Sequence, residues 1–408
     1  MAILEGIRIQ NYRSLKDVTL GQTFENQRVA GKLPRLMAVI GANGVGKSTL
    51  LDALGFIGDC LNEGVESACD KPHRGGFERL RTLGVQEPIK FEIRYRQEPA
   101  QRPISYSLSI DTDERSRVRV VYERLRQRRN GSPNGQPSTF LELNDGSGYV
   151  WSGNEIEGKE GKERINIKMS DRQVLGISTL GTLVDHPRIS QFRAFLGSWY
   201  LSYFVPELAR TQPMSGADPH LNRRGDNLAK YLQFIERERP QGFKKMLSWI
   251  ATKIPGIEEI RSAKAPDGRL LLEFHAQGFE TPFYQQDMSD GSLKLLAYLL
   301  LMEDPDPAPL VGIEEPENGL HHQLFSLLAA ELQQFAQKSK GPQVLVTTHS
   351  PNFVDALTPA EVWILEKHEN GYSTLTRAAD LDTVQSLYDE GIPLGSLWYS
   401  NHFGIGNP

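Results

Sequence analysis

Leu36-Met37-Ala38-Val39-Ile40-Gly41-Ala42-Asn43-Gly44-Val45-Gly46-Lys47-Ser48-Thr49-Leu50 is the stretch that decides the fold. An unbroken apolar run reads as a buried strand, the turn after it fits G-x-x-x-x-G-K-[ST], and Leu50, Leu51, Ala53, Leu54 and Ile57 then recur at helical spacing. Strand, glycine loop and helix in that order make a phosphate cradle. Glycines let successive backbone N–H groups converge on an anion, and the helix N-terminus adds partial positive charge. Residues Gly41, Ala42, Asn43, Gly44, Val45, Gly46, Lys47, Ser48 and Thr49 are therefore the candidate nucleotide-binding set. Lys47 would reach the β- and γ-phosphate oxygens of ATP, and the Ser48 hydroxyl would ligate Mg²⁺.

A second apolar run, Leu310-Val311-Gly312-Ile313, ends in Glu314-Glu315. Paired carboxylates at a strand end suit two tasks: one holds hydrated Mg²⁺, the other orients or deprotonates the attacking water. Glu314 is the candidate metal-side acid and Glu315 the candidate base. Alone such a pair is an ordinary solvated strand end; its weight comes from Pro316-Glu317-Asn318-Gly319-Leu320-His321 after it and the phosphate loop before it. Ser289-Asp290-Gly291-Ser292 opens the helix predicted over Leu293 to Met302, where the hydroxyl and N–H groups of Ser289 and Gly291 could meet phosphate. A third apolar strand, Val344-Leu345-Val346, leads into Thr347-Thr348-His349-Ser350 and puts His349 at a strand terminus.

The rest of the 408-residue chain frames these pieces. A net charge of −5 with 39% hydrophobic residues is ordinary globular composition, so any contact with nucleic acid must use a local basic patch rather than an overall field. Cys60 and Cys69 are too few and badly spaced for a zinc site or a disulfide framework, which points to reduced thiols. The N-terminus lacks the basic and apolar regions of a signal peptide, and no apolar run approaches the roughly 20 residues of a membrane span. A cytoplasmic protein without a membrane partner is expected.

The patterning predicts four segments. Residues 1–88 hold a strand pair around Ile7-Arg8-Ile9 and Val18-Thr19-Leu20, then the phosphate loop, as the N-terminal part of an ATPase core. Residues 89–189 alternate with period two between turn signals, as an antiparallel β subdomain with a Pro- and Gly-rich hairpin tip at 129–138. Residues 190–256 turn helical, with an N-cap expected at Asp226. Residues 257–408 return to the core and carry the two acidic and histidine strands. No repeat or sustained heptad run is present.

The order of these motifs resembles the nucleotide-binding head of the ABC superfamily, in the branch of SMC proteins, RecF and the OLD-type ATPases. Ile7 to Leu15 is similar to that branch's N-terminal strand, Met288 to Ser292 to its signature, Ile313 to His321 to its Walker B and D-loop, and Thr347 to Pro351 to its switch histidine. The resemblance implies an α/β P-loop NTPase fold, a head with an antiparallel β subdomain and a helical insertion. It further implies a head-to-tail homodimer in which ATP on Lys47 and Ser48 of one copy is covered by Ser289 and Gly291 of the other, with His349 sensing the γ-phosphate. Arg13 would lie near the nucleotide, and Asn318 and His321 near the dimer seam. The family more often has Asp where Glu314 stands. The Q-loop glutamine has two candidates, Gln86 and Gln212.

Seven arginines, at 115, 117, 119, 124, 126, 128 and 129, make the region Arg115 to Arg129 a candidate DNA contact; a solvated face or a charge-protected edge strand is the plainer reading. Asp380-Leu381-Asp382 superficially matches the acidic pair of a Toprim nuclease, but too little chain follows for that domain, and a loop or cap is expected. The ending around Leu394 to Tyr399 is similar to the tail of stand-alone ATPases of this branch. These likenesses imply an ATPase whose ATP-dependent dimerisation regulates a separate effector, a Toprim-like or HNH nuclease in bacterial anti-phage defence. The alternative is a RecF-like DNA-maintenance ATPase without a nuclease. A transporter subunit fits poorly, because the stretch between Lys47 and Ser289 is long and rich in strands.

Overall fold

In the computed structural model, residues 2–24, 33–128, 137–153 and 161–406 are described. Most of the predicted hairpin tip, with Arg129, and the residues 154–160 lie outside them. The strands in chain order are β1 (Ile3–Tyr12), β2 (Leu15–Gly21), β3 (Leu36–Ile40), β4 (Ile89–Arg96), β5 (Ile104–Thr112), β6 (Val118–Gln127), β7 (Ser138–Asn144), β8 (Ser147–Trp151), β9 (Arg164–Lys168), β10 (Tyr200–Ser202), β11 (Ile257–Lys264), β12 (Leu270–Ala276), β13 (Phe283–Tyr284), β14 (Leu310–Glu314), β15 (Gln343–Thr348), β16 (Val362–Lys367) and β17 (Ser373–Arg377).

They form three sheets. An eight-stranded antiparallel sheet has the order β2-β1-β4-β5-β6-β7-β8-β9; a six-stranded sheet has the order β10-β14-β15-β3-β16-β17; β11, β12 and β13 make a small third sheet. β1 and β2 of segment 1–88 thus share a sheet with the strands of segment 89–189, joined where Ile7 pairs with Ile93. The six-stranded sheet is parallel from β10 through β16, with β17 added antiparallel.

Period two explains how that parallel sheet is buried on both faces. Met37 and Val39 of β3, Leu345 of β15, and Trp363 and Leu365 of β16 point into a core shared with the eight-stranded sheet. Leu36, Ala38, Ile40, Val344, Val346, Val362 and Ile364 point the other way, into a core shared with the helices of the second half. The helix α1 (Lys47–Glu63) lies in the first core and is buried nearly all round from Leu50 to Leu61. The third sheet and the helices Leu228–Glu238, Pro240–Ala251, Asp290–Met302 and Phe325–Gln337 build the second.

Several local expectations are refined. Helix Leu228–Glu238 is capped by Asn227 rather than Asp226, and the Asn227 side chain is spent on the Asn222 N–H, Asp218 and the His220 carbonyl rather than on the helix. β10, inside the segment expected to be helical, extends the core sheet beside β14. β6 is flanked by β5 and β7, so its arginines protect no sheet edge. Asp380 closes a short 3₁₀ turn and Asp382 opens the helix Asp382–Asp389, which is the plain reading of that acidic pair. Cys60 and Cys69 are buried free thiols, and burial pushes both well up in pKa. No helix among the described residues is long and apolar enough to cross a membrane.

Candidate nucleotide site

Three neighbouring parallel strands end at one place. β3 runs out into the glycine loop, β15 beside it into His349, and β14 beside that into Glu315; Ile40 stands opposite Thr348 in the ladder, and Thr347 opposite Glu314. Carboxyl ends of parallel strands are where open α/β sheets bind ligands.

Lys47, the first residue of α1, is 5% exposed. Its Nζ donates to the carbonyls of Gly41 at 2.9 Å and Ala42 at 3.1 Å, and lies 2.6 Å from His349 Nε2. Burial lowers its pKa, opposed by the charges of Glu315, Glu317 and Glu314. Among the described residues no carboxylate touches this buried ammonium, so the cation has room for an anion that the loop N–H groups can also hold. Gly41 lets the loop turn here: at φ +149° it sits so that a Cβ would come 2.2 Å from the Leu365 carbonyl.

His349 Nε2 also lies 2.8 Å from Glu315 Oε1. One ring nitrogen accepts from Lys47 or donates to Glu315, not both at once, so the two groups compete for it. Burial and then the Lys47 charge hold His349 below its ordinary pKa, against the pull of Glu315. Glu315 itself has φ 41°, a left-handed conformation uncommon for a residue with a Cβ. It is held there by its N–H to Thr347 O at 3.0 Å, and by Asn318 Nδ2 donating to Oε2 at 2.5 Å. Glu317, 5% exposed, accepts from the Thr348 hydroxyl at 2.5 Å and the His349 N–H at 2.8 Å, tying the turn after β14 to the end of β15. Its burial raises its pKa.

The remaining candidates take distinct places. The Ser48 hydroxyl is exposed at the start of α1, and neither it nor the Glu314 carboxylate has a hydrogen bond or ion pair among the described residues. Ser289 caps helix Asp290–Met302, accepting from the Ser292 N–H at 3.2 Å. Gly291 packs on the turn after Glu315: a Cβ there would be 2.4 Å from the Gly319 carbonyl. Arg13, at φ 50°, sits in the turn between β1 and β2; this turn abuts the glycine loop through Ser373, whose N–H donates to Ser14 O and whose hydroxyl donates to Val45 O. The Arg13 guanidinium faces Asp52 of α1 at 3.5 Å and donates to the His73 carbonyl. Among the described residues, neither Gln86 nor Gln212 hydrogen-bonds to Lys47, Glu315 or His349.

Residues 36–355, most of the chain, match the family described as "AAA domain, putative AbiEii toxin, Type IV TA system". The chain belongs to this family. Among solved structures it is similar to an SMC head crystallised with the C-terminal winged-helix domain of ScpA, at 14% identity, TM-score 0.52, covering 91% of this chain and 97% of that one. It is also similar to the Smc head of Pyrococcus furiosus, with an extended coiled coil and bound to the C-terminal domain of ScpA, at 13% identity, TM-score 0.52, covering 96% and 100%. No curated protein matches the chain. The fold is therefore a P-loop ATPase head of the ABC/SMC type, as the motif order implies.

Two residues of this head carry little signal in the sequence. Glu317 sits in the quoted run but is only marked by its neighbours; what it binds, Thr348 and the His349 N–H, is a tertiary fact. Lys294 is a lone cation in the apolar run from Leu293 to Met302, and a charge inside such a helix flags a buried partner.

Proposed function

We propose that this head binds ATP with Mg²⁺ at the loop 41–49, hydrolyses it with Glu315 as base, closes as a head-to-tail homodimer around it, and uses that closure to regulate a separate nuclease in anti-phage defence. The reading rests on one observation, the meeting of Lys47, His349 and Glu315 at the ends of β3, β15 and β14. The donor set fits the nucleotide: a buried ammonium without a contacting carboxylate suits a triphosphate, and an unpartnered hydroxyl and carboxylate at Ser48 and Glu314 suit a hydrated divalent cation. When bound, that cation neutralises phosphate charge. Lys47 then leaves the loop carbonyls for the β- and γ-phosphate oxygens, and His349 leaves Glu315 for the γ-phosphate. The freed Glu315 carboxylate takes a proton from water as its oxygen bonds to the γ-phosphorus and the bond to the ADP oxygen breaks. Ser289 and Gly291 of the second copy cover the nucleotide, and Arg13 meets it from the turn beside the loop. The defence role is supported by the family description, and a protein partner by the bound ScpA domain in the SMC neighbours.

The test is ATP hydrolysis and oligomeric state of the wild type, Lys47→Ala and Glu315→Gln, with mass spectrometry of what co-purifies with each from the native host. Glu315→Gln is expected to trap an ATP-bound dimer holding the effector, and Lys47→Ala to give neither. Unchanged hydrolysis in both variants overturns the site. A second reading, a DNA-maintenance ATPase like RecF, is favoured by the arginine-bearing outer side of β6; duplex-stimulated hydrolysis without a protein partner would select it.

A further inference from the structure

Lys294 lies on the second turn of the helix that Ser289 caps, and its Nζ donates to the Glu315 carbonyl at 3.1 Å and the Asn318 carbonyl at 3.0 Å. Its neighbours Leu293, Leu295 and Leu296 are fully buried. The ammonium is half-buried with them; desolvation lowers its pKa, while Glu317, Glu315 and Glu314 pull the other way. A desolvated cation is kept charged only by such a set of oxygens and carboxylates. One turn earlier, Gly291 lies so close to the Gly319 carbonyl that no side chain fits between them. The turn from Glu315 to Gly319 is thus fastened to the start of the signature helix at both ends, by Lys294 at Glu315 and Asn318 and by Gly291 at Gly319.

That fastening bears on the strained residue. Glu315 holds a left-handed backbone, and its carbonyl, on the peptide that sets its ψ, is the one Lys294 grips. We infer that Lys294 is a positioning residue: it ties the helix beginning at Ser289 to the backbone of Glu315, so that a phosphate contact made by Ser289 at one nucleotide sets the geometry of the base at the other. The inference rests on the proposed roles of Ser289 and Glu315. It adds the intrachain link between the two nucleotides of a dimer, a rigid connection of one helical turn. A methionine of similar length would fill the same space but leave the Asn318 carbonyl without a donor and the Glu315 carbonyl held only by the Asn318 N–H of its own turn, so that nothing ties the turn to the helix there.

The experiment is steady-state ATP hydrolysis by the full chain as Lys294→Met, Lys294→Arg, Ser289→Ala, Lys294→Met with Ser289→Ala, and Glu315→Gln, alongside thermal unfolding. Lys294→Met is expected to lower kcat by about tenfold or more, with KM for ATP within about threefold because Lys47 and its loop are untouched. Lys294→Arg, which can donate to both carbonyls, should recover most of the rate. The double variant should be little slower than the slower single one, since the link is already cut. An unchanged kcat in Lys294→Met, or fully additive losses in the double variant, overturns the inference. If Glu315→Gln hydrolyses at the wild-type rate, it is the site reading that fails instead. Should Lys294→Met not fold, Lys294→Leu, which also removes the donor, is judged by the same criteria.

Discussion

Lys47 Nζ and His349 Nε2 lie 2.6 Å apart although 302 positions separate them. The pairing of β3 with β15 brings them to one end of the sheet, because Ile40 and Thr348 are ladder partners and each is the last residue of its strand. Glu315 contacts the same Nε2, and burial together with the Lys47 charge favours the neutral histidine over the protonated one that Glu315 would hold.

The pH dependence follows with a definite sign. His349 titrates below the ordinary value of about 6.5 in the folded chain and near it when unfolded. Below that value the unfolded state takes up the proton first, so the stability that His349 contributes is full above about pH 6.5 and is lost as pH falls toward the folded value. Between pH 7.5 and 5.5 the urea midpoint of the wild type should fall further than that of His349→Gln. Parallel curves would mean that the imidazole is not held neutral by Lys47 and burial.

Gly291→Ala puts a methyl group where the Gly319 carbonyl stands. Overpacking of this kind costs about 1–3 kcal/mol and moves the turn rather than the helix, since the helix is anchored in the second core. The expected result is a folded protein that binds ATP with near wild-type affinity by calorimetry yet hydrolyses it at least about tenfold more slowly. Wild-type turnover would show that Gly319 gives way without disturbing Glu315.

Arg74 supplies a stability prediction away from the glycine loop. Its side chain is 2% exposed, donates to Asp52 at 2.9 Å and Asp59 at 2.7 Å, and lies over the Phe56 ring. Tyr12 donates to the same Asp52, and its phenol is pushed far up in pKa by burial and then by that carboxylate. Removing one partner of a buried ion pair typically costs about 3–5 kcal/mol. Asp52 keeps Tyr12 and Asp59 keeps Lys71, so Arg74→Ala should sit near the low end, about 3 kcal/mol by urea unfolding. A loss under about 1 kcal/mol would mean that the tyrosine and lysine suffice.

How much of this was readable beforehand divides along a physical line. The loop 41–48, the strand ending at Glu314 and the histidine at the end of β15 are local patterns, an apolar run followed by glycine or charge, and the sequence displays them directly. β10 is three residues long and shows no alternation; it is a strand only because β14, far along the chain, lies beside it. β9 is mostly exposed, with Ile165 at 38%, so it has no core face to betray it. The capping role passed from Asp226 to Asn227 because a single register step decides it. The grip of Lys294 on Glu315 depends on how the helix Asp290–Met302 packs against the turn after β14, which no window of sequence contains.

The arginine region separates by partner. Arg117 is paired with Asp113 at 2.7 Å, and Arg119 with Asp145 at 2.6 Å, so their charges are answered within the protein. Arg124 and Arg126 stack over Tyr122 and Phe24 on the outer side of β6, where Val118, Val120 and Leu125 point inward. Arg128 lines a concavity with Arg94, Arg96, Arg102 and Arg126. Each phosphate contact contributes about −0.9 to the slope of log affinity against log salt on duplex DNA. If this face meets DNA, Arg117→Ala and Arg119→Ala should leave that slope nearly unchanged, while Arg124→Glu with Arg126→Glu and Arg128→Glu should make it shallower by about two to three. The stacked rings give Arg124 and Arg126 a fixed direction, so their loss should also lower affinity at low salt. A slope and affinity unchanged in the triple variant would remove this face as a nucleic-acid contact and leave the arginines as a solvated side of the large sheet.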